Sequence, residues 1–209
     1  MTFGPMFRQW CILLVGTLIG VAICIRWLDV PVALTFLANV DRFGGLGKGL
    51  GSTVLISGEI VVIATLAIVR IATGTLPTFF KAVFVACCAS LSAFVANDYV
   101  LKVFFGRLRP EDFFLGPSSP TFHFFNGDHL SSFPSGHMVM ATAFAVVMIR
   151  LQPRTRPILL GLLCLGALAL LVGDWHFLGD IVAGAFVGGT AGLVAGELWL
   201  EHVQDHART

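Results

Sequence analysis

Residues 131–150 read SSFPSGHMVMATAFAVVMIR, a Pro-Ser-Gly-His tetrad set directly against a long apolar run. A Pro-Ser-Gly turn has little to pack, and a histidine is costly to bury. The tetrad reads in one of two ways. It is a helix start capped by Ser135, or a turn at a membrane surface that holds something polar. Composition points to a membrane. Of 209 residues, 56% are hydrophobic and only 12% are charged, against about a quarter charged in an ordinary soluble domain. The mean hydropathy is +0.89. A formal net charge of +1 lacks the basic footprint of a nucleic-acid binder.

Windows of about 20 apolar residues divide the chain into six expected spans, at about 10–28, 50–72, 78–101, 135–151, 157–172 and 178–200. The expected fold is all-α: one polytopic membrane domain over 1–209, a six-helix bundle with short interfacial helices in its outer loops. The first segment is long enough to be a retained helix, and no small-x-small cleavage pattern precedes Asp29. LQPRTRP at 151–157 separates the fourth span from the fifth, because prolines and arginines there end a helix. With the N-terminus inside, Arg8, Arg70, Lys81, Arg150, Arg154, Arg156 and Arg208 lie on the cytoplasmic side. Arg26, Arg42, Lys48, Lys102, Arg107 and Arg109 lie opposite. The excess is small, and it grows if the last three belong to a site. The expected location is the inner cell membrane, with the polar residues extracytoplasmic.

Two outer loops are long. PVALTFLANV (31–40) reads as an interfacial helix, and the GGLGKGLG that follows lacks the G-x-x-x-x-G-K-S/T spacing of a phosphate-cradling loop. Phe113, Phe114, Phe122, Phe124 and Phe125 in the second loop read as interfacial anchors or as walls of a lipid cleft. Gly184, Gly188, Gly192 and Gly196 form a smooth stripe that close helix packing explains. Cys11, Cys24, Cys87, Cys88 and Cys164 lie in apolar runs without metal-ligand or disulfide spacing. Glu59, in mid-span, is a functional candidate with no motif around it.

Topology returns three distant polar clusters to one membrane face, whichever way the chain is inserted. Lys102, Arg107 and Arg109 end the third span, Ser135 and His137 open the fourth, and Asp174, His176 and Asp180 lie between the last two. Paired cations suit a dianion, and arginine offers a planar fork to phosphate oxygens. A turn opening a helix presents free N–H groups to an anion, and Gly136 permits close approach. His176 and Asp180, at i and i+4, face one way and can meet if the helix begins by His176. An aspartate on one imidazole nitrogen leaves the other as nucleophile or base, and His137 can supply a proton. Asp98 can pair with Lys102. These parts suit phosphoryl transfer at a lipid headgroup.

At these residues the chain resembles the type-2 phosphatidic acid phosphatase superfamily, which includes the vanadium haloperoxidases. The motif K-x6-R-P is similar to KVFFGRLRP (102–110), and P-S-G-H stands at 134–137. S-R-x5-H-x3-D is matched only in its second half, by His176 and Asp180, because its Ser-Arg falls on Ala169 and Leu170. The resemblance implies a metal-independent, cofactor-free lipid phosphatase. His176 would attack phosphorus, Asp180 would orient it, and His137 would protonate the leaving group. Lys102, Arg109, Ser135 and Gly136 would bind the phosphoryl oxygens. No Lys or Arg occurs from Pro157 to Ala207, so the missing cation needs a substitute. Arg107 and Lys48 are candidates. A divalent cation on Asp174, His176 and Asp180, with Asp128 and His129 as further ligands, is another. The implied substrate is an isoprenoid diphosphate or a phosphatidate-like lipid in the bilayer. The rival readings are a lipid phosphotransferase and a silent lipid-binding homologue.

Overall fold

The computed structural model describes residues 3–37, 51–115, 122–128 and 130–206. The expected turn at 44–50, Lys48 and His129 lie outside them. Among the described residues there is no strand, only an isolated bridge between Arg107 and Phe122. The long helices are α1 (Phe3–Ile23), α2 (Asp29–Leu37), α3 (Ser52–Thr73), α4 (Thr78–Ala96), α7 (Gly136–Leu151), α8 (Arg156–Val172) and α9 (Leu178–His206). The short helices α5 (Lys102–Phe105) and α6 (Pro110–Leu115) lie in the loop before α7.

Among the described residues, five helical stretches are long and apolar enough to cross a membrane: Phe7–Leu37, Ser52–Thr73, Thr78–Phe105, Pro153–Val172 and Leu178–Asp205. With its apolar helices and polytopic fold, the protein is a multi-pass membrane protein. The sixth expected span, α7, has only 16 residues, about 24 Å at 1.5 Å per residue. A shorter helix is tolerated here because α7 is sheathed by its neighbours: Val139, Met140, Ala143, Ala145, Val147 and Met148 are all buried. Lipid-facing side chains lie elsewhere, for example on α3, where Val61 and Ile68 are exposed.

The expected interfacial helix at 31–40 is not a separate element. A π-helical turn, Cys24–Leu28, carries α1 straight into α2. A second π turn, Asn97–Leu101, joins α4 to α5. Each inserts extra backbone immediately before a charged residue, Asp29 in one and Lys102 in the other, and so re-aims it. Sequence periodicity carries no signal for either turn.

The glycine stripe sets the central contact. A β-carbon at Gly184 would lie 2.6 Å from the Ser135 carbonyl oxygen, one at Gly188 would strike that of Val139, and one at Gly192 would lie 2.6 Å from that of Ala143. The register rises together on both chains, so α7 and α9 run parallel and start at the same end. Around them, α4 is antiparallel to α7, with Ala82, Ala86 and Ala89 packed against Val147 and Met148, and Ala93 against Val139 and Ala143. Trp10 donates to the Thr190 hydroxyl while Val21 packs on Ala183, so α1 is antiparallel to α9. Arg150 pairs with Glu197 at the far end.

These contacts predict that Gly188→Ala, which must push α7 and α9 apart, destabilises by about 1–3 kcal/mol. Gly161→Ala, with nothing within 4 Å of its new methyl, is neutral or stabilises by up to about 1 kcal/mol. Melting temperatures in detergent separate the two.

Candidate active site

Parallel packing of α7 and α9 brings the start of each helix to the same end, and the polar clusters meet there. Ser135 is the N-cap of α7, its hydroxyl accepting from the Met138 N–H at 3.5 Å. Its own N–H donates to the Asp180 carbonyl at 3.0 Å, and the Asn97 amide donates to the Pro134 carbonyl at 3.2 Å. The tetrad is thereby tied to α9 on one side and to the π turn of α4 on the other. The capping reading of Ser135 is what the geometry displays, and its side chain is fully buried.

The loop before α7 folds back on itself. Gly106 has φ +57°, and a β-carbon there would strike the His123 carbonyl. The left-handed backbone and the close approach both call for glycine. The Ser132 N–H donates to the Arg107 carbonyl at 2.8 Å, and the Ser132 hydroxyl to the Leu108 carbonyl at 2.8 Å. Phe105, Phe122 and Phe133 pack edge to face, so these rings form a platform under the loop. Phe124 and Phe125 remain exposed.

The pocket at this end is a cavity of about 290 Å³ lined by Gly51, Ser52, Arg109, Glu111, His137, Asp174, Trp175 and His176. The rings of His137 and His176 are 6.1 Å apart between centroids, and Trp175 lies 5.5 Å from His137. Arg109 is anchored by its Nε, which donates to the Leu130 carbonyl at 2.8 Å. Of the residues expected from sequence, Arg109, His137, Asp174 and His176 form the wall. Gly136 and Lys102 lie behind it. The Lys102 ammonium is 3.7 Å from where a Gly136 β-carbon would stand, and it pairs with Asp98 at 2.6 Å. That pairing was legible at i, i+4. Glu59 lies away from this pocket, on an apolar cavity of about 320 Å³ with Met140, Phe144 and Leu163.

Beneath the pocket lies a buried ion network. One terminal nitrogen of Arg107 contacts Asp180 Oδ1 at 2.6 Å and the other contacts Asp29 Oδ2 at 2.6 Å. The guanidinium carbon sits 4.4 Å from the Phe177 ring centroid. Asp29 Oδ1 accepts the Gly179 N–H at 2.8 Å. Arg107 therefore does not stand in for the missing cation, as sequence allowed. Both its terminal nitrogens face carboxylates, and it is 2% exposed. Asp180 is shared: its Oδ2 accepts the Phe177 N–H at 2.9 Å and lies 3.7 Å from His176 Nδ1. That last separation is longer than a hydrogen bond.

Leu170 is drawn into an apolar cluster with Met138 and Ile181, so α8 supplies no cation. The alternative metal set is not assembled either. Among the described residues no three His, Cys, Asp or Glu side chains converge as ligands, and Asp180 is held by Arg107. Sequence reasoning missed Asp29, Glu111, Trp175 and the Gly51–Ser52 start of α3. Only Asp29 had a signal, as a lone acid at the end of an apolar helix.

Asp174 differs from the other wall residues. It has φ +54°, held by Asp174 N–H to the Leu171 carbonyl and Trp175 N–H to the Leu170 carbonyl. It is 3% exposed, and neither carboxylate oxygen has a hydrogen-bond partner among the described residues. Burial, and then the nearby Glu111 carboxylate, push it up to about 6.

Comparison with known proteins gives two matches. The family model described as the PAP2 superfamily matches residues 79–200. A solved transmembrane PAP2-type phosphatidylglycerolphosphate phosphatase from Bacillus subtilis superposes with a TM-score of 0.59 at 17% identity, covering 92% of this chain and 96% of that one. At that identity the likeness is one of fold. No curated protein matches the chain.

Removing one partner from a buried ion network strands the other charges. Asp29→Ala is therefore expected to cost about 3–5 kcal/mol. Asp29→Ala with Arg107→Ala should cost less than the sum of the two singles, as read by denaturation of all three variants.

Proposed function

Since the chain belongs to the PAP2 superfamily, we propose that it is a single-domain integral membrane lipid phosphatase, cleaving a lipid phosphate or diphosphate monoester through a phosphohistidine. The observation that carries this reading is the pair of imidazoles opening on one cavity with Arg109. His176 presents Nδ1 to Asp180, which leaves Nε2 to attack phosphorus. The N–P bond forms as the P–O bond to the lipid breaks, and His137 gives its proton to the departing oxygen. Water then attacks phosphorus and His137 takes a proton from it. Phosphate leaves, and His176 is restored.

Arg109 holds phosphoryl oxygens from the wall, while Lys102, Ser135 and the Gly136 N–H act from behind it. Fixed donors aimed at developing charge are the main source of rate in such transfers. The steps need no cofactor. In this reading α7 is the sixth crossing, and the pocket lies at the extracytoplasmic face of the inner membrane. The fold relative is a phosphatidylglycerolphosphate phosphatase. A phosphatidate-like glycerophospholipid monoester is therefore the first substrate to assay, with isoprenoid diphosphates second.

The test is phosphate release from a panel of such lipids by the purified protein in detergent. Activity on at least one lipid, undiminished by EDTA, is expected. His176→Ala should lower kcat by about 1000-fold or more. His137→Ala should slow the first step on an alkyl ester, whereas on a nitrophenyl phosphate, whose leaving group needs no proton, it should leave a fast burst of nitrophenol followed by slow turnover. Normal turnover by His176→Ala would remove the nucleophile assignment. Movement of the group to an added alcohol, without free phosphate, would favour a phosphotransferase.

A further inference from the structure

A pocket for a phosphate dianion should not contain a carboxylate with nothing to hold it, yet Asp174 lines this one. Its backbone fixes the orientation, since the left-handed turn at φ +54° is stabilised on both sides by hydrogen bonds to the end of α8. Both its oxygens are buried and without a hydrogen-bond partner among the described residues. The charged and titratable groups sharing the cavity with it are Arg109 and Glu111 from the loop before α7, His137 from α7, and His176 from its own turn. α3 contributes only Gly51 and Ser52.

An ionised Asp174 would face Glu111 and the incoming phosphate with like charge. A neutral carboxylic acid there has the opposite effect, because its O–H is a hydrogen-bond donor of the kind the pocket lacks once Leu170 is packed away. Like charges close together keep one carboxyl protonated, and apolar sites can hold an acid neutral so that it donates.

We infer that Asp174 is a specificity-determining residue that binds phosphate as a neutral acid, its O–H donating to a phosphoryl oxygen in place of the cation absent at Leu170. The inference rests on the phosphoryl-transfer reading of the site. No bond is made or broken. A proton from solvent is held by Asp174 and the ligand accepts a hydrogen bond from it, so anion binding and proton uptake are coupled. The position of Asp174 near 6 makes the sign definite. The binding form is present below about pH 6 and is lost as pH rises above it, and affinity falls about tenfold per pH unit for one coupled proton. The other groups of the cavity are common to all the variants, so only the difference between variants reports on Asp174.

Sulfate is the appropriate probe because it keeps both negative charges across this range. Its affinity for the purified full-length protein in detergent is measured calorimetrically from pH 5.5 to 8, for wild type, Asp174→Asn and Asp174→Gly. Asn and Gly both accept the left-handed backbone. Asn keeps a donor without titrating, and Gly removes it. Asp174→Asn is expected to hold wild-type affinity within about threefold at pH 5.5, and its log-affinity slope above pH 6 should be shallower by one. Asp174→Gly should bind about tenfold more weakly at pH 5.5. An unchanged slope in Asp174→Asn would overturn the inference. So would equal affinity of the Asn and Gly variants at pH 5.5, which would mean that no donor at position 174 contributes to anion binding. Failure of the wild type to bind sulfate at any pH would count against the phosphoryl-transfer reading itself. Melting temperatures of the three proteins separate lost binding from lost folding.

Discussion

Arg107 carries its charge in the least hospitable place in the molecule, under the pocket and away from water, and the architecture of the site follows from how that charge is balanced. Two carboxylates face it, Asp29 from the start of α2 and Asp180 from α9, and aromatic rings close over it. A lone buried guanidinium would be prohibitively costly. The three elements that supply these residues are therefore held in one relative position. The network joins chain segments as far apart as Asp29 and Asp180, and it holds the carboxylate that His176 faces. Support for the His176 imidazole thus extends to the first membrane helix, none of whose described residues lines the pocket wall.

A second constraint acts along the bundle. The glycines of α9 let it approach α7 closely enough for backbone to meet backbone, and contact at that range tolerates no sliding. Because the two helices are parallel, it fixes the level of His137 relative to that of His176. The two π turns do finer work at the same end, one ahead of Asp29 and one ahead of Lys102. A helix of regular pitch would direct both side chains elsewhere, and π turns inside α-helices commonly occur where a functional side chain needs such rotation.

The pocket that results is less cationic than its motifs suggest. Among the described residues, Arg109 alone brings a fixed positive charge to the wall, with Lys102 behind and paired to Asp98, while Asp174 and Glu111 bring negative charge. Relief comes through protons. An acid shifted towards neutrality, Asp174, can lose its negative charge when an anion arrives. That makes proton concentration part of the binding equilibrium in a way that an arginine at position 170 would not.

Much of this was legible in the sequence. Apolar runs located the four middle helices to within a few residues, because in lipid every backbone polar group must be satisfied within its own helix, but the first stretch continues to Leu37 and the last to His206. Alternation of crossings placed Lys102, Arg109, His137 and His176 at one end, but His176 lies in the turn before α9, so it approaches Asp180 across that turn and not along a shared helix face. The glycine period announced close packing but not its partner. What the sequence left open were contacts between residues far apart in the chain. Arg107 and Arg109 are two residues apart and chemically alike, yet one is sealed into an ion network and the other lines the cavity. Asp29 looked like the end of a helix and is the counter-ion of Arg107. Leu170 marked a missing cation, but that it packs on Met138, and that Asp174 lines the pocket nearby, are consequences of how α8 and α9 meet. Local spacing determines which face of a helix a residue occupies. Which charges are enclosed together is decided only when the helices close around them.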